Sequence, residues 1–572
     1  MAASSGSPAS ACSLLQVAEQ LSEVWWEQNM MPHLLEANAA ANMASTCKQL
    51  CRMCQHAATA LRVPGTQLQR VQAHTRQRFP SCKQLTVQLH SREQAVLDLP
   101  FALDALAGLT SLSQLVLGID EAIASEPYAM AATLAPLLLW QCHQQAALQA
   151  VPYTHSLTLN FNCGWRAHKA AWRVLGRLTQ LSSLAIRTPA GDARSTAVKA
   201  RHLCALSPLG SCLQYLECRI GTIEESRQPQ DYAFLSSLTQ LTGIHLFVER
   251  SHVHLDSISC LTNLRSLELI APNGAGVMLD GATYAAIAQH TQLTKLHLGM
   301  IGVNSPGCQF LSGSQKLQEL CVPLSPAALP VVAGLTQLTW LQCDWRQQQQ
   351  QPAGRAGALL MCPSVRALVT EAGAVPFEAF PGLAELVQGG SWQPSAFTSL
   401  AQHCSGLQQL HISSHFDTSV PSMPLHTPAA DCARAVRSLS ALQQLTWLSF
   451  APYRRPEVAA LTALQQLRGL MLRIATRSAL RLSAFDQLGA LRSLTQLAIE
   501  LPGSREFSCK QLQQLLASVQ QVRSVRLYVD AGRVPAAEVV VREARQANAA
   551  AGAGGPADVR VADMNPEVDY DA

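Results

Sequence analysis

Three cysteines stand at Cys47, Cys51 and Cys54, with His56 just beyond them. Positions i, i+4 and i+7 share one face of a helix, and three thiolates with an imidazole are a donor set that zinc accepts. His56, however, projects off that face, and a single helix rarely surrounds a tetrahedral ion. The stripe reads better as small apolar side chains turned towards a core. His252 and His254 share one side of an extended His-Val-His segment, but no third ligand accompanies them. The glycines of "GAGVMLDG" (274–281) are misspaced for a dinucleotide loop, and a turn after a strand explains them. The chain contains no G-x-x-x-x-G-K-[ST] and no G-x-S-x-G, so neither a phosphate-cradling loop nor a hydrolase elbow is written in it. No spacing of Asp and Glu singles out a general acid–base pair. The expectation is a non-enzymatic chain with no catalytic residue, no metal site and no cofactor.

Composition narrows the class further. The 572 residues are 48% hydrophobic and 14% charged, too apolar for a disordered polymer and long enough for an extended core. A net charge of +4, without a Lys/Arg run, gives no footprint for nucleic acid or an anionic membrane. The longest apolar run, "AATLAPLLLW", falls short of the roughly 20 residues of a membrane span. The first twenty residues lack both a basic n-region and arginines, so neither a secretory nor a transit signal is expected. The 18 cysteines are scattered, many in apolar phrases such as "LQCDW" and "LECRI", as free thiols acting as small hydrophobes would be. A cytoplasmic location follows as the expectation, with nucleus or cilium as alternatives.

What the chain does write, repeatedly, is one phrase. "LTQLTWLQC" (335–343) returns as "LQQLTWLSF" (442–450), and looser copies begin at Leu178, Leu238 and Leu261. As L-x-x-L-x-L the phrase recurs from Leu112-Leu115-Leu117 to Val522-Val525-Leu527, in about sixteen units spaced by about 27 residues. Within x-L-x-L-x the apolar letters alternate with exposed ones, which is strand periodicity. A single such strand cannot stand alone. Stacked beside its neighbours it forms a parallel sheet whose leucines join one core, and the intervening segments return along the other side. Some returns, such as "ATYAAIAQH" and "CARAVRSLSAL", carry short helical patterns.

These repeats resemble the leucine-rich-repeat family over roughly residues 82 to 530. The resemblance implies an α/β solenoid, a curved horseshoe with a parallel sheet on its concave face. The family usually places Asn or Cys three residues past the phrase. Here that place holds Asp120, Pro189, Glu249, Pro272 and Ile301, with Asn162 an exception, so the side-chain ladder of the family is mostly missing.

The expected organisation is a disordered stretch at 1–12, a helical region at 13–80, the solenoid at 81–535 and a mostly disordered, Ala/Gly-rich and acidic tail at 536–572. The helical region reads as a cap for the solenoid, and it also resembles, in part, an F-box: an apolar helix, a "PHLL" element, then a helix ending "MASTCKQL". It lacks the Leu-Pro opening and the Trp after Cys47-Lys48. That resemblance implies a substrate receptor of a cullin-type ubiquitin ligase, with Pro32, Leu34, Leu35, Cys47 and Lys48 at the contact with a Skp-type adaptor. The alternative is a plain scaffold, on cytoskeletal or ciliary structures.

Recognition would fall to the letters between the leucines. On a stacked sheet they line one face: Tyr215, Arg219, His245, Phe247, Glu268, His297, Trp340, Asp344 and Trp447 are the candidate binding residues. Trp340 leads them, because an outward strand position rarely holds Trp and interface hot spots are rich in Trp, Tyr and Arg. Aromatic residues among mixed charges suit a protein ligand.

Overall fold

The computed structural model describes residues 60–64, 66, 79, 81–99, 103, 112–120, 123, 130, 133–135, 137, 155–161, 169–187, 203–220, 229–248, 252–253, 255–271, 277–299, 301–302, 306–324, 328–343, 361–370, 375–389, 394–413, 429–452, 455–474, 482–501, 509–529, 534–550 and 558–563, with the backbone alone described at 96, 169–170, 219–220, 229–231, 247–248, 252–253, 277–278, 301–302, 306–307, 394, 413, 429, 432, 482–484 and 562–563. The chain divides into two compact units, Met1–Ala286 and Ile287–Ala572. The cysteine stripe at Cys47–Cys54 and the adaptor candidates Pro32, Leu34, Leu35, Cys47 and Lys48 lie outside the described residues.

In the first unit the strands are β1 (Ala60–Pro64), β2 (Gln84–Leu89), β3 (Gln114–Ile119), β4 (Ser156–Phe161), β5 (Ser183–Arg187), β6 (Tyr215–Ile220), β7 (Gly243–Val248), β8 (His252–Val253), β9 (Ser266–Ile270) and β10 (Val277–Leu279). β1 to β7 and then β9 pair in chain order, all parallel. β8 pairs β10 in a separate small sheet, which sets His252 beside Met278 and Val253 beside Leu279; His254 lies outside the described residues. In the second unit the strands are β11 (Lys295–Gly299), β12 (Ile301–Gly302), β13 (Glu319–Cys321), β14 (Trp340–Cys343), β15 (Ala367–Thr370), β16 (Glu385–Gly389), β17 (Gln409–Ser413), β18 (Trp447–Phe450), β19 (Gly469–Arg473), β20 (Gln496–Leu501), β21 (Ser524–Val529) and β22 (Asp558–Asp563). From β11 through β13 to β22 they again run parallel, in chain order.

The phrase letters fall where alternation puts them. Leu85, Leu115, Leu157, Leu184, Leu216, Ile244 and Leu267 form one register row in the first unit, each at most 2% exposed. Leu296, Leu320, Leu341, Leu368, Leu386, Leu410, Leu448, Leu470 and Leu497 do the same in the second. Each fully buried leucine contributes about 1.5–3 kcal/mol of transfer free energy. Two repeats lack a third apolar letter because Thr370 and Gln388 occupy that inward place, buried between Cys343 and Ile412. The fold of each unit is an α/β leucine-rich-repeat solenoid.

Returns are short helices stacked behind the strands. α1 (Lys169–Leu175) is followed in the first unit by tight 3-10 turns at Cys204–Leu209, Pro229–Ser237 and Asp256–Cys260. Helix α2 (Gly281–Gln289) realises the pattern ending at His290. Then come α3 (Leu329–Gly334), α4 (Pro394–His403), α5 (Ala429–Ser438), α6 (Arg455–Leu461), α7 (Cys509–Ser518) and α8 (Val534–Ala550). The solenoid reaches beyond both expected boundaries. Ala60–Pro64, expected within a helical region, is a strand that sets Leu61 beside Leu85 and buries Val63. The tail expected to be mostly disordered carries α8, whose Ala537, Val541 and Ala544 bury one face, and β22, which sets Val559 beside Val525. Ala/Gly-rich composition masks both the helical and the two-residue periodicity there.

A backbone ladder holds the starts of the strands. The carbonyl preceding one strand accepts two N–H groups from the next repeat. Gln318 takes Thr339 and Trp340 at 2.9 and 3.0 Å, Gln408 takes Thr446 and Trp447 at 2.9 and 3.1 Å, and Arg468 takes Thr495 and Gln496 at 2.8 and 3.0 Å. The same arrangement recurs at Lys83, Ser113, His155, Ser182, Gln214, Thr242, Thr294, Thr339, Arg366, Ala384, Thr446 and Thr495. The second Thr of the phrase adds its hydroxyl: Thr242 donates to Gln214 O at 3.1 Å, Thr339 to Gln318 O at 3.3 Å and Thr495 to Arg468 O at 3.1 Å. This explains why Thr recurs at a place outside the core rows.

Close stacking sets the price of a methyl group. A Cβ added at Gly176 would collide with the Ala205 carbonyl of the next return, and one at Gly210 with the Ser237 carbonyl, whereas nothing lies within 4 Å of a Cβ at Gly334. Gly176→Ala and Gly210→Ala are each expected to destabilise by about 1–3 kcal/mol, and Gly334→Ala to be neutral or stabilising by up to about 1 kcal/mol. Urea midpoints check this, and equal midpoints for all three variants would contradict the packing.

The cysteines whose side chains are described are free thiols. Burial pushes the Cys404 thiol up to about 12 and those of Cys308 and Cys362 to about 11, and it raises Cys218 as well. Cys204 and Cys260 are exposed. At pH 8 a disulfide reagent should modify Cys204 and Cys260 in the native protein and reach the buried four only with unfolding; mass spectrometry of the labelled peptides decides it.

Candidate functional site

The face of each sheet opposite the leucines is built from the letters that vary. Register arranges them in rows across the strands. In the first unit Tyr215, Gly243 and Ser266 form one row, and Glu217, His245 and Glu268 the next. In the second, Lys295, Glu319, Trp340, Ala367, Glu385, Gln409, Trp447, Gly469 and Gln496 lie in one row. His297, Cys321, Gln342, Val369, Val387, His411, Ser449, Met471 and Ala498 form the other. Neighbouring side chains in a row stand one strand apart, about 4.8 Å.

On the first unit two pairs of described outward charges engage one another. Arg187 Nε donates to Glu217 Oε1 at 2.8 Å and Nη2 to Oε2 at 3.0 Å, a bidentate pair between β5 and β6. Glu217 is 5% exposed, and its hydrogen bonds raise the Arg187 guanidinium above its ordinary range against the cost of burial. Removing Arg187 would strand a buried carboxylate. One strand on, His245 Nδ1 lies 3.7 Å from Glu268 Oε2. The Tyr215 ring lies against Gly243, where an added Cβ would meet Cδ2 at 2.7 Å. Glycine here is what lets the ring lie along the sheet.

The second unit repeats the device. The Trp447 indole covers Gly469, where a Cβ would overlap the ring. Its other side faces His411, with ring centroids 6.4 Å apart and planes inclined by 35°. Trp447 Nε1 and Ser449 Oγ are buried without a hydrogen-bond partner among the described residues. Lys295 meets Glu319 at 3.4 Å, and Arg473 meets Glu500 at 3.2 Å. Trp340 is half-buried, between Glu319 and Ala367.

The candidates named from sequence are thus distributed over two groups. Tyr215, His245 and Glu268 come together on β6, β7 and β9. Arg219 and Phe247 are register partners on β6 and β7, and their side chains lie outside the described residues, as does Asp344. His297, Trp340 and Trp447 belong to the second unit, where Trp340 and Trp447 share a row yet stand four strands, about 19 Å, apart. Arg187, absent from the sequence candidates, is the side chain that orders Glu217. The sequence signal available was its place directly after "LSSLAI", outward by alternation. Among the described residues no cluster of His, Cys, Asp and Glu could hold a metal ion, and no helix is long and apolar enough to cross a membrane.

Burial, and then the Arg473 charge, lower the His411 pKa below 6.5. The folded state therefore resists protonation more than the unfolded chain does. Above about pH 6.5 both states are neutral at this residue; below it the unfolded chain takes the proton first and stability falls, by at most about 1.4 kcal/mol per pH unit. His411→Gln should flatten the acid limb of a stability–pH curve measured by urea unfolding; an unchanged limb would contradict the placement.

No protein-family model matches the chain, and no curated protein matches it. Among solved structures, an internalin of Listeria monocytogenes is 14% identical, with 76% of this chain and 94% of that one covered, at a TM-score of 0.31. The leucine-rich repeat-containing protein LegL7 from Legionella pneumophila is 12% identical, with 62% and 94% covered, at 0.33. The ectodomain of the Arabidopsis receptor kinase HAESA is 12% identical, with 82% and 81% covered, at 0.24. Superpositions at these scores add nothing to the assignment of the fold, which stands on the strand register and core rows of the chain itself.

Proposed function

We propose that this chain recognises protein through the outward faces of the parallel strands in its two units, without catalysis. The observation that carries the reading is the treatment of the aromatic residues. Tyr215 and Trp447 are laid along the sheet by a glycine on the following strand, and Trp340 has Ala367 in that place. Rings held this way offer apolar area at low cost in side-chain freedom, which is how hot spots work. Several surrounding charges are paired on the face, Arg187 with Glu217 and Lys295 with Glu319, so these give orientation more than long-range attraction.

The narrower reading is a substrate receptor whose N-terminal helices take a Skp-type adaptor through Pro32, Leu34, Leu35, Cys47 and Lys48. It is supported only by the F-box-like pattern of that segment, and the plain scaffold requires no adaptor.

Affinity capture with the full chain tests the main reading. Trp340→Ser with Trp447→Ser should abolish capture of the native partner, while Arg542→Glu, exposed on α8, should leave it intact. Equal capture by the outward-face and α8 variants would place recognition elsewhere. Adding the purified adaptor to the wild type and to Leu34→Asp with Leu35→Asp separates receptor from scaffold: binding that this pair abolishes supports the receptor, and no binding to the wild type supports the scaffold.

A further inference from the structure

The outward face of the second unit changes character from β18 to β21. Register sets Trp447, Gly469, Gln496 and Ser524 in one row, and Ser449, Met471, Ala498 and Arg526 in the next. The Trp447 ring covers Gly469, and the short side chains of Ala498 and Ser524 leave low ground beside Met471, between that ring and the Arg526 guanidinium. Arg526 is exposed and makes no ion pair among the described residues. Two more exposed arginines, Arg468 and Arg523, stand where β19 and β21 begin, on either side of Thr495, and likewise form no ion pair among the described residues. The strand spacing puts Arg468 and Arg523 about 10 Å apart, and Arg526 lies about 10 Å along β21 from Arg523. Two described carboxylates nearby are already taken: Glu500 by Arg473 at 3.2 Å and Asp558 by Arg560 at 2.9 Å.

We infer that this patch binds an acidic, extended segment of a protein partner, with carboxylates on Arg468, Arg523 and Arg526 and an apolar side chain on Met471 against Trp447. The inference rests on the protein-binding reading above and gives it a partner chemistry. Guanidinium forks suit carboxylates, which they grip through two parallel N–H donors. Arg468 and Arg526 stand at the ends of a diagonal of about 14 Å, and residues four apart in an extended segment lie on one face and span about 13 Å, with the residue between them on that face free to reach Met471. A continuous phosphate chain fits less well, because Glu500 and the apolar ground of Met471 and Ala498 interrupt the positive surface.

Fluorescence anisotropy with the full chain and a labelled peptide of repeated Glu-Ser-Leu-Ser units, whose Glu and Leu share one face when extended, tests this, with a Gln-Ser-Leu-Ser peptide and an oligouridylate as the other arms. The acidic peptide should bind, more weakly as salt rises. Arg468→Gln, Arg523→Gln and Arg526→Gln should each weaken it by about threefold, and together by about thirtyfold. Met471→Ala should weaken the acidic peptide without altering its salt dependence. Equal binding of the Glu and Gln peptides, tighter binding of the oligouridylate, or a triple variant that binds like wild type would each overturn the proposal. If the triple variant still captures the native partner that the Trp340/Trp447 variant loses, and the acidic peptide binds no better than its Gln counterpart, this inference fails while the protein-binding reading stands.

Discussion

Everything in these two units depends on one shared acceptor: a carbonyl ahead of strand after strand that takes two N–H groups from the repeat that follows. It fixes how far each coil advances and in which register the next strand is laid. Once register is fixed, alternation does the rest. A slip of one residue would turn every leucine of a strand to water and every outward side chain to the core. The ladder and the leucine rows therefore enforce the same answer, one through the backbone and the other through burial, which is the agreement between levels that makes a repeat sequence fold to one structure.

The same constraint frees the intervening letters. Because core and ladder need only the leucines and a hydroxyl or backbone group at the strand start, the outward positions carry no duty towards the coil. The chain uses that freedom in two ways. Some positions hold ion pairs made within the face, as between Arg187 and Glu217, which stiffen it without leaving charge to spare. Others hold an aromatic ring beside a glycine, as Trp447 beside Gly469, which broadens the apolar surface in the plane of the sheet. Where the pairing stops, at Arg468, Arg523 and Arg526, the face acquires a sign, and with it a preference among ligands.

How much of this was legible in the sequence follows from the range of each interaction. The phrase L-x-x-L-x-L declares its own strand, so inward and outward faces could be read off for Leu341 and Trp340 without coordinates. Short helices such as α2 and α5 were visible in their own periodicity. What could not be read depends on pairing between repeats. Arg187 and Glu217 lie 30 residues apart and meet only because the pairing of β5 with β6 sets Ala185, two residues before Arg187, beside Glu217. Trp340 and Trp447 hold the same letter of the phrase, which says that they share a row but not that three strands stand between them. Strands β1 and β22 escaped because one sits beside a helical pattern and the other in an Ala/Gly-rich segment, and each is recognisable only beside the strand it joins. Thr370 and Gln388 broke the phrase while keeping its place, since neighbours such as Ile412 complete the row.

Native-state hydrogen exchange at the strand starts tests the shared-acceptor account most directly. Both amides of each pair, Thr339 with Trp340 and Thr446 with Trp447, should be protected together and to the level of the strand interiors at Leu341 and Leu448. Rapid exchange of Thr339 and Thr446 beside slow strand interiors would contradict it, because the carbonyl would then hold one donor and the register would have to be set by something else.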